Sequence, residues 1–362
     1  MSAYPMDVPP YQAQSLVANV IQSINRLSGP PVQVTCAQAF GSEIYVGCSN
    51  GELVRFALQA TGGSTPESYT VLSQQALPGN KPIDALVLMP SISRALVQSD
   101  HQIYFYTLPS LDPISPQVMK PMRNVVAFAV DEQRLRRPPP STSDPRQAVD
   151  PVDFCVIKRN SILLYSIRER LAYKKDMAFQ EGTTLARRSG RYVCAADKEY
   201  YNMADLEAAS LFQLMPISQD PSVVVKPCIT VISENEFLIF SWTGVSTLGV
   251  FITGDGLPVR GTLEWNSHPE SVSLDYPYIL ALLPDRSIEI HNIETQSLVQ
   301  SIPPPESPEV TVDLKHLVWS ANGFLVPSSQ RSNKLRTTPV KLVRSRNKIA
   351  EQTSVKENEV IA

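Results

Sequence analysis

The stretch Arg94-Ala95-Leu96-Val97-Gln98-Ser99-Asp100-His101-Gln102-Ile103-Tyr104-Phe105-Tyr106-Thr107-Leu108 decides the fold class. An apolar run leads into a polar turn at Ser99-Asp100-His101. The run after it is rich in aromatic residues and suits a pleated surface packed on at least one face. Working outward, six more hairpins of this design have turns at Ser49-Asn50-Gly51, Arg159-Asn160, Asp197-Lys198, Trp242-Thr243-Gly244, Pro284-Asp285-Arg286 and Ala321-Asn322-Gly323. They recur in steps of about 37 to 60 residues, near the roughly 40–50 residues of one four-stranded propeller blade. The period predicts an all-β chain folded as a closed seven-bladed β-propeller.

Strand patterns run from residue 32 to 108 and from 153 to 325. Between them, 131–151 is polar and proline-rich, cannot pair as a central strand, and is predicted to be a mobile loop. It accounts for the widest step between hairpins. Residues 1–14 are rich in proline and tyrosine and read as a flexible leader. Leu16, Val17, Val20, Ile21, Ile24 and Leu27 then recur at helical spacing, with a strand as the alternative. After Pro327 the apolar period ends, and a disordered basic C-terminal tail is expected. The predicted organisation is a leader over 1–14, a propeller over 15–327 and a tail over 328–362.

With 43% hydrophobic and 19% charged residues, most of the chain can bury a core. The net charge of −3 hides an asymmetry, because 331–350 holds seven basic residues and no acidic one. A basic tail on a mildly acidic body is not a nucleic-acid footprint, which would place Lys and Arg on the folded surface itself. Cys36, Cys48, Cys155, Cys194 and Cys228 are odd in number and mostly set in apolar strands, as buried free thiols of a reducing compartment would be. No secretory leader, N-x-Ser/Thr acceptor or apolar run approaching ~18 residues is present, so a cytoplasmic location is expected.

No constellation for catalysis stands out. The chain has no CxxC, HExxH or phosphate-loop motif, Gly47-Cys48-Ser49-Asn50-Gly51 falls at a hairpin turn between strands and not at a strand-to-helix elbow, and His101, His268, His291 and His316 stand far apart. Gly254, Gly256 and Gly261 lead into a strand, not a helix, so they offer no helix N-terminus to a phosphate. A propeller hydrolase or lyase would show carboxylates or histidines at the starts of inner strands. Those positions read Val32, Ile83, Val125 and Asp153, mostly apolar, so no enzyme, cofactor or metal is predicted. Two basic clusters lie outside the strand pattern: Arg134, Arg136 and Arg137, then Arg187, Arg188 and Arg191. With Lys341, Arg344 and Arg346 of the tail, they are the candidate contacts for an acidic partner or an anionic membrane face.

The run Leu248-Gly249-Val250-Phe251-Ile252-Thr253-Gly254-Asp255-Gly256-Leu257-Pro258-Val259-Arg260-Gly261-Thr262-Leu263-Glu264-Trp265 leads on to Tyr276-Pro277-Tyr278-Ile279-Leu280-Ala281-Leu282-Leu283-Pro284-Asp285-Arg286-Ser287-Ile288-Glu289-Ile290. It resembles the citron-homology (CNH) domain of the vacuolar-sorting subunits related to the TGF-β-receptor-associated protein. Ile44-Tyr45-Val46-Gly47-Cys48-Ser49-Asn50-Gly51 and Lys198-Glu199-Tyr200-Tyr201 match the same pattern, and the similarity spans roughly 30–325. The resemblance implies the N-terminal propeller of a subunit of the CORVET or HOPS tethering complexes. Such a module would be non-catalytic, engage a Rab-type small GTPase or sister tethering subunits, and associate peripherally with endosome or vacuole membranes. The same domain type also occurs in Rho-type GTPase signalling, which is the alternative the resemblance leaves open.

Overall fold

A computed structural model describes residues 11–15, 32, 34–40, 43–59, 68–135, 149–179 and 181–304, together with short strands at 313–314, 318–320, 323–326, 328–329 and 340–344. Six four-stranded antiparallel sheets follow one another along the chain. Blade I comprises Val34–Phe40, Glu43–Cys48, Glu52–Gln59 and Ser68–Ala76, and blade II comprises Ile83–Met89, Arg94–Ser99, Gln102–Thr107 and Met122–Arg123. Blade III is built from Ala127–Val130, Val152–Ile157, Ser161–Ile167 and Leu171–Ala178. Blade IV follows with Leu185–Ser189, Tyr192–Ala196, Tyr200–Asp205 and Ser210–Pro216. Blade V has Ile229–Ser233, Glu236–Trp242, Thr247–Thr253 and Leu263–Trp265, and blade VI has Ser271–Asp275, Tyr278–Leu282, Ile288–Asn292 and Ser297–Ile302.

The propeller is therefore borne out, with six blades of four consecutive strands among the described residues where seven were expected. The hairpin at 321–323 explains the difference. In blades I to VI the quoted turns join second and third strands, whereas this one joins Val318–Ser320 to Gly323–Val326 in a sheet of another connectivity. That sheet continues with Val340–Arg344 and then Tyr11–Ser15, uniting distant parts of the chain. Val318–Ser320 lies against the first strands of blades I and VI. Residues 11–14 of the expected leader and 340–344 of the expected disordered tail are thus paired strands. The helix expected over 16–27 lies outside the described residues.

In blades III, IV and VI burial falls from the second strand to the fourth. The second strands are almost wholly buried, as in Tyr192–Ala196, whereas the fourth strands Leu171–Ala178, Ser210–Pro216 and Ser297–Ile302 are largely exposed. Apolar side chains meet between blades. Leu96, Phe105, Phe128 and Phe154 join blades II and III, while Phe240, Phe251, Trp265 and Ile279 join V and VI. A fully buried side chain of this size contributes about 1.5–3 kcal/mol, so the blade interfaces carry much of the stability.

The turns have local causes. Asp100 and His101 both take positive φ, 49° and 57°, as a two-residue hairpin turn of the primed type requires. At Asp197 the carboxylate accepts the backbone N–H groups of Glu199 and Tyr200, each at 2.7 Å, so the side chain itself forms the turn. Gly254 sits against the ring of Tyr192 where any Cβ would clash, which fixes the close approach of blades IV and V.

Candidate interaction surface

Because every strand pair is antiparallel, the links between strands one and two, and between three and four, open on one face of the ring. The hairpin turns open on the other. The insertion after Val130, residues 189–192, 205–210 and 253–263 all belong to the first face. Among the described residues, Arg134, Arg187, Arg188 and Arg191 lie at or beside this face.

The insertion is anchored at its start, not free along its whole length as predicted. Glu132–Leu135 forms one helical turn, and the Asp131 carboxylate accepts the N–H of Gln133 at 3.2 Å and of Gly190 at 3.1 Å. The Gln133 side-chain amide donates to Ser189 Oγ at 3.0 Å and to the Glu234 carbonyl at 3.1 Å, bridging blades III, IV and V. Arg134 is paired with Asp150 at 2.9 Å, which brings the two ends of the insertion together. Arg136 and Arg137 lie outside the described residues, as does Arg346.

Arg187 and Arg188 are not loop residues as predicted, but lie in Leu185–Ser189, the first strand of blade IV. Arg188 is buried. Its guanidinium donates to the Gly190 carbonyl at 2.8 Å and to Cys155 Sγ at 3.6 Å, and lies 3.8 Å from Asp153, which also holds Lys174 at 2.7 Å. A guanidinium so enclosed cannot be a contact for a partner. Strand pairing carried the missed signal, because the apolar Tyr192–Ala196 after the turn at Gly190 needs an antiparallel neighbour before it.

Arg187 lies 3.7 Å from Glu132, and Arg191 stacks on the Tyr192 ring at 4.7 Å while reaching Asp205 at 3.5 Å and Glu207 at 3.6 Å. Tyr192 in turn donates to Asp255 at 3.0 Å. Further round, Arg260 pairs with Glu236 at 2.5 Å within blade V and with Glu294 of blade VI at 3.1 Å. The exposed arginines of this face therefore sit in a belt of carboxylates that ties adjacent blades together. Lys341 and Arg344 belong to the strand Val340–Arg344.

On the opposite face a cleft of about 450 Å³ between blades II and III is lined by His101, Asn124, Val126, Lys158, Arg159 and Asn160. Arg159 is held by Glu181 at 2.6 Å and His101 Nδ1 lies 3.2 Å from the Val125 carbonyl. Among the described residues no three His, Cys, Asp or Glu side chains are placed to hold a metal ion. Burial pushes the thiols of Cys155 and Cys228 up to about 11, so both are protonated at neutral pH. His291, edge-on to Trp265 at 4.8 Å, is driven by burial down to about 4 and is a neutral ring at pH 7. No helix among the described residues is long and apolar enough to cross a membrane.

Residues 30–304 match the VPS3 N-terminal domain. The chain belongs to that family. Transforming growth factor-beta receptor-associated protein 1 of Homo sapiens is 24% identical over 298 residues, covering 81% of this chain and 32% of that protein. Vacuolar protein sorting-associated protein 3 of Saccharomyces cerevisiae is 23% identical, covering 84% of this chain and 29% of its own length. Vacuolar sorting protein 39 of Arabidopsis thaliana is 22% identical, covering 86% and 28%. The chain thus spans about a third of the length of these relatives. Among solved structures, the AfRom2 CNH domain superposes with a TM-score of 0.56 at 15% identity, over 92% of this chain and 99% of that one. At this identity the likeness shows the fold alone, and it agrees with the citron-homology resemblance.

Proposed function

We propose that this VPS3-family propeller is a non-catalytic interaction module in vesicle tethering and protein transport at the endosome or vacuole, engaging a Rab-type GTPase or sister tethering subunits. The observation that carries this reading is the family match over residues 30–304, together with relatives named as vacuolar sorting proteins. A ring of rigid blades with loops gathered on two faces suits recognition, since loops can vary without disturbing the core.

Arg134, Arg187 and Arg191 are the contacts proposed on the insertion face. Each keeps a third or more of its side chain exposed although paired, so an acidic partner surface can compete for it. The basic residues beyond 330 are proposed to add attraction to an anionic membrane leaflet, at about 1 kcal/mol per residue close to the surface.

Affinity capture from cytosol loaded with a non-hydrolysable GTP analogue, followed by mass spectrometry, tests the reading. Recovery of endosomal GTPases or tethering subunits, reduced when Arg187 and Arg191 are both changed to Glu, is the expected result. Recovery of neither class overturns it.

A further inference from the structure

The cleft between blades II and III is built on a rigid floor. Its connector is tied to both blades: Val125 N–H donates to the His101 carbonyl at 2.9 Å, and Val126 N–H donates to the Ile157 carbonyl at 2.8 Å. The Val126 carbonyl accepts the Gln98 side-chain amide at 3.1 Å, and the Val125 carbonyl accepts His101 Nδ1 at 3.2 Å. With the backbone of the floor so occupied, what the cleft offers a ligand is side chains. Its volume of about 450 Å³ falls among pockets that receive small ligands or a few side chains.

Those side chains are rich in donors. None of the six lining residues is acidic, and the carboxylates beside His101, Asp84 and Asp100, do not line the cleft. Arg159 has Glu181 at 2.6 Å but stays 79% exposed. Lys158 is half-buried and forms no ion pair among the described residues, and the same holds for Arg123, next to Asn124 at the cleft. The side-chain amides of Asn124 and Asn160 make no hydrogen bond to a described residue. The insertion face differs, because there Arg134, Arg187, Arg191 and Arg260 each have a carboxylate close by. Val126, 37% exposed, adds one apolar patch between the two walls.

We propose that this cleft is a binding site for an acidic peptide segment of a partner protein, with a carboxylate received by Lys158 and Arg159 and an adjoining aliphatic side chain laid on Val126. Charge complementarity selects the occupant, since unpaired cations beside free amide donors match a carboxylate and its second oxygen. A membrane leaflet meets the tips of a surface, whereas these donors line a recess that an extended chain can enter. The inference is independent of the GTPase or tethering contacts proposed for the insertion face.

Fluorescence anisotropy of the full chain tests this with labelled pentapeptides, one leucine standing at each position in turn among glutamates, and a matched set built on lysines. Protein is titrated from about 1 µM to 1 mM, the range of weak peptide recognition. At least one glutamate peptide is expected to saturate, no lysine peptide should, and affinity should fall as ionic strength rises. Lys158→Glu should weaken binding by about tenfold or more. Val126→Phe keeps the charge but fills the floor, and should weaken it as well, whereas Lys158→Arg should retain it. Thermal unfolding of both Lys158 variants should match the parent, because the lysine holds no ion pair to lose. Changing Arg187 and Arg191 to Glu on the opposite face should leave peptide binding unchanged, which separates failure here from failure of the GTPase reading. Binding of no glutamate peptide, equal binding of the lysine set, or affinity that survives Lys158→Glu overturns the proposal. So does capture of phosphatidylserine vesicles, lost in Lys158→Glu, by a chain that binds no peptide.

Discussion

Blades III and IV carry their charges in opposite places. Blade III has an apolar first strand, Ala127–Val130, and a charged outer strand with Lys174, Lys175 and Asp176. Blade IV has Arg187 and Arg188 on its first strand and no charge on its outer one. The difference shows that charge near the centre of a propeller serves cohesion, because the next blade supplies the counter-ion, whereas charge at the rim keeps an edge from pairing.

The comparison is broken most directly at Arg188. Removing a buried guanidinium leaves the Gly190 carbonyl without its donor and Asp153 with Lys174 alone. Arg188→Ala is expected to destabilise the chain by about 3 kcal/mol, and Arg188→Met by less, because a hydrophobe of similar length refills the space. Urea denaturation measures both. Equal losses would mean that the charge, not the packing, holds the blades together.

His291 sharpens the same rule at a site where no close counter-ion is supplied, since Glu289 stands 4.0 Å away. Burial depresses its pKa in the fold to about 4, while the unfolded chain titrates near 6.5. Between these values the unfolded state binds the extra proton. Stability is therefore complete above about pH 6.5 and is lost progressively as pH falls towards 4, by about 2–3 kcal/mol in all. Thermal melts across that window should show the slope, and His291→Phe should flatten it. A slope unchanged in the variant would assign it to other groups.

The smallest effect belongs to Arg187. Its pair with Glu132 is 3.7 Å apart and partly exposed, so Arg187→Gln is expected to cost no more than about 0.5 kcal/mol. A loss close to that of Arg188→Ala would erase the distinction between the two neighbours and return both to the structural core.

How much of this was legible in the sequence follows from where each strand sits. The hairpin turns of blades I to VI were readable because second and third strands are central, so their apolar runs are dense and the turns between them are marked by Asp, Asn and Gly. Outer strands such as Ser210–Pro216 face solvent along much of their length, and exposure erases the alternation that reading depends on. Arg187 and Arg188 were misread as loop because two adjacent arginines outweigh the short apolar Leu185-Ala186. Only the carboxylates brought by the fold, Glu132 and Asp153, make that strand tolerable. The seventh hairpin was visible as a hairpin, but the sheet it enters is completed by Tyr11–Ser15 and Val340–Arg344, a pairing over more than three hundred residues that no local pattern encodes.

The anchored insertion has a consequence for how such a protein can change. Its chain leaves blade III at Arg134 and returns at Asp150, and these two side chains grip each other at 2.9 Å, while Gln133 is bolted to the neighbouring blades. The two feet of the insertion are thus held by contacts of their own. Its length and composition can drift, or be replaced with a foreign sequence, while the ring beneath keeps its register, so this is the position at which evolution or an engineer can rewrite what the propeller meets without rewriting the propeller.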